Sequence, residues 1–239
     1  MVSASAGEPA RILGDVSGGR VLDVATGTGG FVRFLVDGLH DFDEIIGIDA
    51  RGDREAAFAA ALAGVPGVRF ERMDARRLDF PAASFGTVCI SNSLHHFADP
   101  DPVLAEMRRV LRPGGHFVVN EMYRDGQSQT QRTHVLLHHW WAAVNRLHGE
   151  EQRETFERAQ IVALVEGLGL ADLCFFDLAD PGEDPHDPAM IGDLEAAIDR
   201  HIEMADGHHD LQARGEVLRA RLREIGARGA TQLVAIGRA

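Results

Sequence analysis

The chain predicts a doubly wound α/β fold, with a sheet of about seven strands covered by helices and an antiparallel final strand. Three observations predict it. Short apolar runs alternate with amphipathic segments along most of the 239 residues, as parallel strands joined by crossover helices do. The first run, Val21-Leu22-Asp23-Val24, ends in the glycine-rich turn Ala25-Thr26-Gly27-Thr28-Gly29-Gly30, and an amphipathic stretch over 31–36 follows. That order reads as strand, tight turn, helix, with a ligand crevice at the strand's carboxyl end. Apolar residues make up 45% of the chain, enough for one core in a single domain over 1–239.

The elements follow in order. A strand is expected over 20–24 and a helix over 30–38. A second strand over 44–49 ends in Asp49, and an alanine-rich helix covers 54–64. A third strand over 68–73 alternates and stops at Asp74. A fourth over 86–91 closes on Asn92-Ser93-Leu94-His95-His96. Asp99-Pro100-Asp101-Pro102 opens a helix to residue 111, since Asp caps well and Pro is tolerated in the first turn. Arg112-Pro113-Gly114-Gly115 reads as a turn before a fifth strand over 116–121. A helix over 156–167, a sixth strand over 171–178 and a seventh over 231–236 complete the alternation. Two helical insertions interrupt it, at about 123–154 and 183–228, where a lid over the crevice would be built. The first holds a helix over 127–149; the second holds two helices broken near 206–210, after a turn-rich connector over 181–188.

Asp23 narrows the ligand. A pyrophosphate would sit on the amides at the helix start, and a carboxylate four residues before Gly27 would repel it. Val32 also replaces the third glycine of the dinucleotide pattern. An amino-acid end carrying an ammonium group suits that carboxylate, so S-adenosylmethionine fits better than NAD, and a dinucleotide oxidoreductase is a poor alternative. The net charge of −13, from 24 Lys and Arg against 37 Asp and Glu, argues against nucleic acid as partner. Arg72, Arg76 and Arg77 are one local basic group, read as a solvated face. Cys89 and Cys174 fall inside strands; two buried thiols suit a reducing compartment. The first residues lack a signal-peptide pattern, and no apolar run approaches the roughly 20 residues that span a bilayer. The expectation is a cytoplasmic protein without a membrane partner, with a homodimer left open.

On these motifs the chain resembles the class I S-adenosylmethionine-dependent methyltransferases, nearest in pattern to the small-molecule, ubiquinone-biosynthesis-like subgroup. The resemblance covers residues 19–122 strongly. It rests on Leu22-Asp23-Val24-Ala25-Thr26-Gly27-Thr28-Gly29, the acids ending strands two and three, Ser93-Leu94-His95-His96, and Leu111-Arg112-Pro113-Gly114-Gly115. It implies a Rossmann-like fold and methyl transfer to a small-molecule acceptor, with S-adenosylhomocysteine as product. It also implies site roles. Asp23, Ala25, Gly27 and Gly29 would hold the methionine part. Asp49 would bind the ribose hydroxyls, and Ala50 would pack on the adenine. Asp74 would accept from the adenine amino group beside the Ala75 amide. Asn92 and Leu94 would line the methionine side. Relatives carry a longer helical segment before the first strand, so the two insertions are expected to shield the reaction here.

The helix over 127–149 is unusual. His134, His138, Trp141, Asn145 and His148 share one face, at i, i+4, i+7, i+11 and i+14. Leu136, Trp140, Ala143 and Leu147 form a second stripe for the core. Three readings compete for the histidine face. His138 or His134 is a general base, since imidazole titrates near neutrality. Or His134 and His138 bind a metal, with a third ligand from Glu121, His95, His96 or His201. Or the histidines lie at a surface or an interface. His95 and His96, after strand four, are cleft candidates, with His96 a candidate catalytic group. Tyr123, past strand five, would bind acceptor or pack. Glu121 would orient a histidine, bind acceptor or cap a helix. Beside methyl transfer stand a metal-assisted enzyme using the His134/His138 face and a non-catalytic protein that binds S-adenosylmethionine or S-adenosylhomocysteine. Nothing in the sequence names the acceptor.

Overall fold

The computed structural model describes residues 8–150, 152–179 and 184–239. The expected absence of a signal peptide falls on the first seven residues, and part of the 181–188 connector falls on 181–183; both lie outside the described residues. A seven-stranded sheet runs in the order β3-β2-β1-β4-β5-β7-β6. Its strands are β1 (Arg20–Val24), β2 (Glu44–Asp49), β3 (Val68–Arg72), β4 (Phe85–Ser91), β5 (Leu111–Met122), β6 (Ala171–Leu178) and β7 (Gln232–Arg238). The first five pair in parallel, and β7 runs antiparallel between β5 and β6. The chain winds outward from β1 to β3 and then returns to β4, so β1 and β4 flank the switch point where such sheets take ligands.

Strand burial explains why the central strands form where they do. In β1 and β4 nearly every side chain is buried, as helices on both faces require. One face carries α1 (Glu8–Leu13), α2 (Gly30–Gly38) and α3 (Glu55–Ala61), with Leu13, Val32, Leu35 and Phe58 packing on Val21, Ile45 and Val118. The other carries α4 (Asp101–Val110) and α6 (Arg158–Glu166), with Val103, Met107, Ile161 and Val165 packing on Leu22, Val88 and Phe117.

The remaining helices form a third cluster. They are α5 (Gln129–Leu147), inserted after β5, and α7 (Pro188–Met204) and α8 (His209–Ile225), inserted between β6 and β7. Leu137, Trp140 and Val144 of α5 meet Ile198 of α7 and Leu218 and Leu222 of α8. Gly215 lets α8 approach, because a Cβ there would stand 2.5 Å from the Trp140 ring. A Ser128–Gln131 capping box starts α5, satisfying two orphan amides. Asp187 caps α7 through the Met190 amide.

Three expectations are corrected here. Residues 112–115 are not a separate turn; they bulge within β5, whose register with β4 shifts between Phe85 and Thr87. The core-facing stripe of α5 is not Leu136, Trp140, Ala143 and Leu147. Leu147 is 41% exposed, while Val135, Leu137 and Val144 are buried, because α5 is covered on more than one side. Cys174 is exposed, since β6 is an edge strand; only Cys89 is a buried thiol. Among the described residues no helix is long and apolar enough to cross a membrane.

Candidate functional site

The site starts at the carboxyl ends of β1 and β4. Ala25 (φ 55°) and Asn92 (φ 44°) stand just past these strands in the left-handed region, a cost that non-glycine residues bear mostly at functional positions. Ser93 ties the two turns together: its hydroxyl donates to the carbonyls of Ala25 (3.2 Å) and Ser91 (2.8 Å). Sequence reasoning quoted Ser93 within a motif but gave it no role of its own. Gly27 (φ 56°) has open space where a Cβ would point, whereas a Cβ on Gly29 (φ 83°) would strike Leu62 and Phe58. Gly27 therefore leaves room for a ligand, and Gly29 lets the turn pack on α3. The start of α2 has no side-chain cap and no acid in its first turn, so its amides stay available to an anionic group.

Beneath this turn lies Asp23, 1% exposed. Its Oδ2 accepts from the Thr26 hydroxyl at 2.6 Å, and its Oδ1 is buried without a partner. Burial, helped by the nearby Asp49 charge and opposed by the Thr26 bond, pushes its pKa up to about 7. Asp49, at the end of β2, accepts from the amides of Gly27 (3.0 Å) and Arg51 (2.9 Å). It both caps its own turn and fixes the glycine loop. Asp74 accepts from the Arg76 amide (2.9 Å) and from its guanidinium, which holds its pKa below the usual carboxylate value. A cleft of about 590 Å³ brings Ala50 and Asp74 together with Arg72, Met73, Arg77 and Asp79. Ala75 is buried in the core beside it.

Two residues expected on the methionine side also make contacts within the protein. Leu94 is fully buried in the core, and its amide donates to Glu121 Oε2 at 2.8 Å. The Asn92 side chain is committed to the sheet: its Oδ1 accepts from the Met122 amide (2.9 Å) and its Nδ2 donates to Gln232 (2.9 Å). Tyr123 likewise turns aside, its hydroxyl donating to Asp177 of β6 at 3.2 Å, where the Arg158 guanidinium also binds.

Past β4 a 3₁₀ turn, Leu94–His96, presents a coupled pair. His95 Nδ1 donates to Glu121 Oε1 at 2.7 Å, and both side chains are essentially fully buried. With the proton on Nδ1, the free lone pair lies on Nε2, an atom that is buried without a partner. The sequence signal for this pair is the ends of two adjacent parallel strands. His96 is open to solvent on one side, while crowding on the other and the neighbouring His95 push its pKa down.

Helix α5 brings more imidazoles. The His138 ring lies 6.2 Å from His95, 4.6 Å from His134 and 5.0 Å from Trp141. His134 Nδ1 accepts from the Ala230 amide at 3.1 Å, so its one lone pair is used and its Nε2 carries hydrogen. Desolvation pushes His134 down to about 4. Burial and the surrounding imidazoles push His138 well below its ordinary value. His201 stacks near Trp141 at 5.6 Å, with Nδ1 on the Ala197 carbonyl at 2.7 Å. Among the described residues no group of three or more His, Cys, Asp or Glu is placed to hold a metal ion. Another histidine, His139, was not foreseen: its Nε2 meets the Thr155 hydroxyl at 2.8 Å and the Thr155 amide at 3.3 Å, while the Arg153 amide donates to the His95 carbonyl at 2.8 Å.

The sheet and its flanking helices have the fold of solved methyltransferases. The comparisons agree: residues 22–119 match the model of the methyltransferase domain family. A demethylmenaquinone methyltransferase of Deinococcus radiodurans is 45% identical over 107 residues, 43% of this chain and 42% of that one. The ubiquinone/menaquinone biosynthesis C-methyltransferase UbiE of Ectopseudomonas mendocina is 32% identical over 114 residues, 46% and 44% of the two chains. Each match thus spans under half the relative's length. A solved phosphoethanolamine N-methyltransferase 2 of Haemonchus contortus, in complex with S-adenosylmethionine, superposes with a TM-score of 0.57 at 16% identity, covering 95% of this chain and 50% of that one.

Proposed function

We propose that the chain transfers a methyl group from S-adenosylmethionine to a small-molecule acceptor, with His95 as the proton acceptor. The observation that carries the cofactor reading is the orphaned Oδ1 of Asp23 beneath the open Gly27 turn. A buried carboxylate oxygen without a donor fits an ammonium group. The uncapped start of α2 suits the carboxylate of the same amino-acid end, Asp49 suits a ribose, and the cleft at Ala50 and Asp74 suits an adenine. When bound, S-adenosylmethionine supplies a sulfonium methyl already activated for attack, leaving S-adenosylhomocysteine and a methylated acceptor.

The chain's own residues then have three tasks. They orient the acceptor, keep water out and remove its proton where it must lose one. His95 Nε2 takes that proton, and Glu121, fixed by the Leu94 amide and bonded to Nδ1, holds the tautomer and stabilises the imidazolium that forms. His134 is unsuited as base, because its lone pair is spent on Ala230. His138 and Trp141 wall the acceptor side, and α5, α7 and α8 serve as the lid. The names of the relatives point to a quinone-biosynthesis acceptor.

Glu121→Gln is the informative test. It leaves the Leu94 and His95 contacts partly intact but removes the charge that supports the imidazolium. The expected outcome is a loss of kcat of about 100-fold and unchanged S-adenosylhomocysteine affinity. A variant with unaltered kcat removes His95 from the role of base.

A further inference from the structure

Three buried side-chain atoms near the end of β4 and on α5 lack partners: His95 Nε2, His138 Nδ1 and Trp141 Nε1. The first belongs to the proton-accepting pair. The other two, on the wall of the acceptor side, have no hydrogen-bonding role yet. Their rings meet edge to face at 5.0 Å, and His138 is the link between Trp141 and His95. Unpaired buried polar atoms are costly, and here two of them stand together beside the reacting group.

We propose that Trp141 and His138 form the acceptor-recognition subsite and that it selects a flat, uncharged acceptor presenting a hydroxyl. The assignment of the occupant as acceptor rests on the methyl-transfer reading. The chemistry narrows the class. An indole N–H only donates, and a neutral imidazole nitrogen donates or accepts according to tautomer. A hydroxyl satisfies both atoms in either tautomer: it accepts from Trp141 and either donates to His138 or accepts a second bond. An ammonium group only donates, and leaves the Trp141 N–H unpaired. A carboxylate brings a buried charge to side chains that hold no cation, since His138 and His134 are both kept neutral by desolvation. The rings of His138, Trp141 and His134 suit a planar body by edge and face contacts.

The test uses phenol, benzoate and benzylamine as size-matched probes of the full chain, free and loaded with S-adenosylhomocysteine, read by saturation-transfer NMR at pH 7.5. Phenol binds at least tenfold tighter than either charged probe, and Trp141→Phe, which keeps a ring and loses the N–H, weakens phenol roughly tenfold. His138→Phe weakens it as well, which guards against a folding defect in one variant. Equal or tighter binding of benzoate, or phenol affinity unchanged in both variants, overturns the subsite. Failure to bind S-adenosylhomocysteine is a separate result: it overturns the cofactor reading, while the probe ranking on the free chain still decides the subsite.

Discussion

Asp23 shows how one side chain sets a ligand's chemistry. Its carboxyl is held up at about 7 because burial outweighs the Thr26 bond. In the free chain it therefore carries a proton below about pH 7, and an arriving ammonium group must expel that proton. The sign follows: affinity for S-adenosylhomocysteine is full above pH 7 and falls by up to tenfold per pH unit below it. Calorimetry from pH 7.5 to 5.5 in two buffers of different ionisation enthalpy checks both the fall and the released proton. Asp23→Asn binds weakly and without this slope; a wild-type affinity flat across the range removes Asp23 from the ammonium site. The turn above this residue was legible in the sequence because it is a local pattern. Tyr123 was not, because its partner Asp177 lies 54 residues away and only the β5–β7–β6 pairing brings them together. The surroundings of Leu94 were not legible for a related reason: the 3₁₀ turn sets it in the core and His95 against Glu121.

Helix α5 is the element whose reading changed most. A 3.6-residue period finds one face of a helix, but α5 packs against β-sheet residues on one side and α7 and α8 on another, so its buried set is broad. Met122 with Val135 and Ala230 forms one contact, and Leu137, Trp140 and Val144 form the other. Histidines fasten the helix at two points: His134 accepts from the Ala230 amide, and His139 Nε2 accepts from Thr155. Each bond needs an unprotonated nitrogen. Both histidines have pKa values lowered mainly by desolvation, so the unfolded chain takes up protons near pH 6.5 while the folded one resists. Stability is then complete above pH 6.5 and is lost as pH falls toward about 4, the value for His134. The slope from His134 is roughly 1.4 kcal/mol per pH unit, and His139 adds to it in the same direction. Urea midpoints at pH 7, 6 and 5 measure it. His134→Gln, which keeps an acceptor oxygen for Ala230, loses one histidine's share; an unchanged slope would assign the acid sensitivity elsewhere.

Across the molecule, the two halves of the site differ in how they are built. The half proposed for the cofactor is made by β1, β2, β3 and their turns, consecutive in sequence and closed by the Asp49 contact with Gly27. Strands buried on both faces and acids at strand ends are local signals, so this half was readable from the chain. The half proposed for the acceptor is assembled from a 3₁₀ turn and helices far apart in sequence, His95 with His138 and Trp141 with His201, and no local pattern carries it. The same division predicts how ligand and stability couple. A ligand held only by the folded chain, present at about 100 times its Kd, adds roughly 2.7 kcal/mol, which for a domain of this size raises Tm by about 5–10 °C. S-adenosylhomocysteine gives that rise and NAD gives none, because a pyrophosphate meets Asp23 and Asp49 at the helix start. Asp49→Ala abolishes the rise by removing both the ribose acceptor and the bond that shapes the glycine turn. His138→Ala keeps it, since that side chain belongs to the other half, and loses turnover instead. A rise with NAD, or one retained in Asp49→Ala, would mean that the crevice between β1 and β4 serves a different ligand.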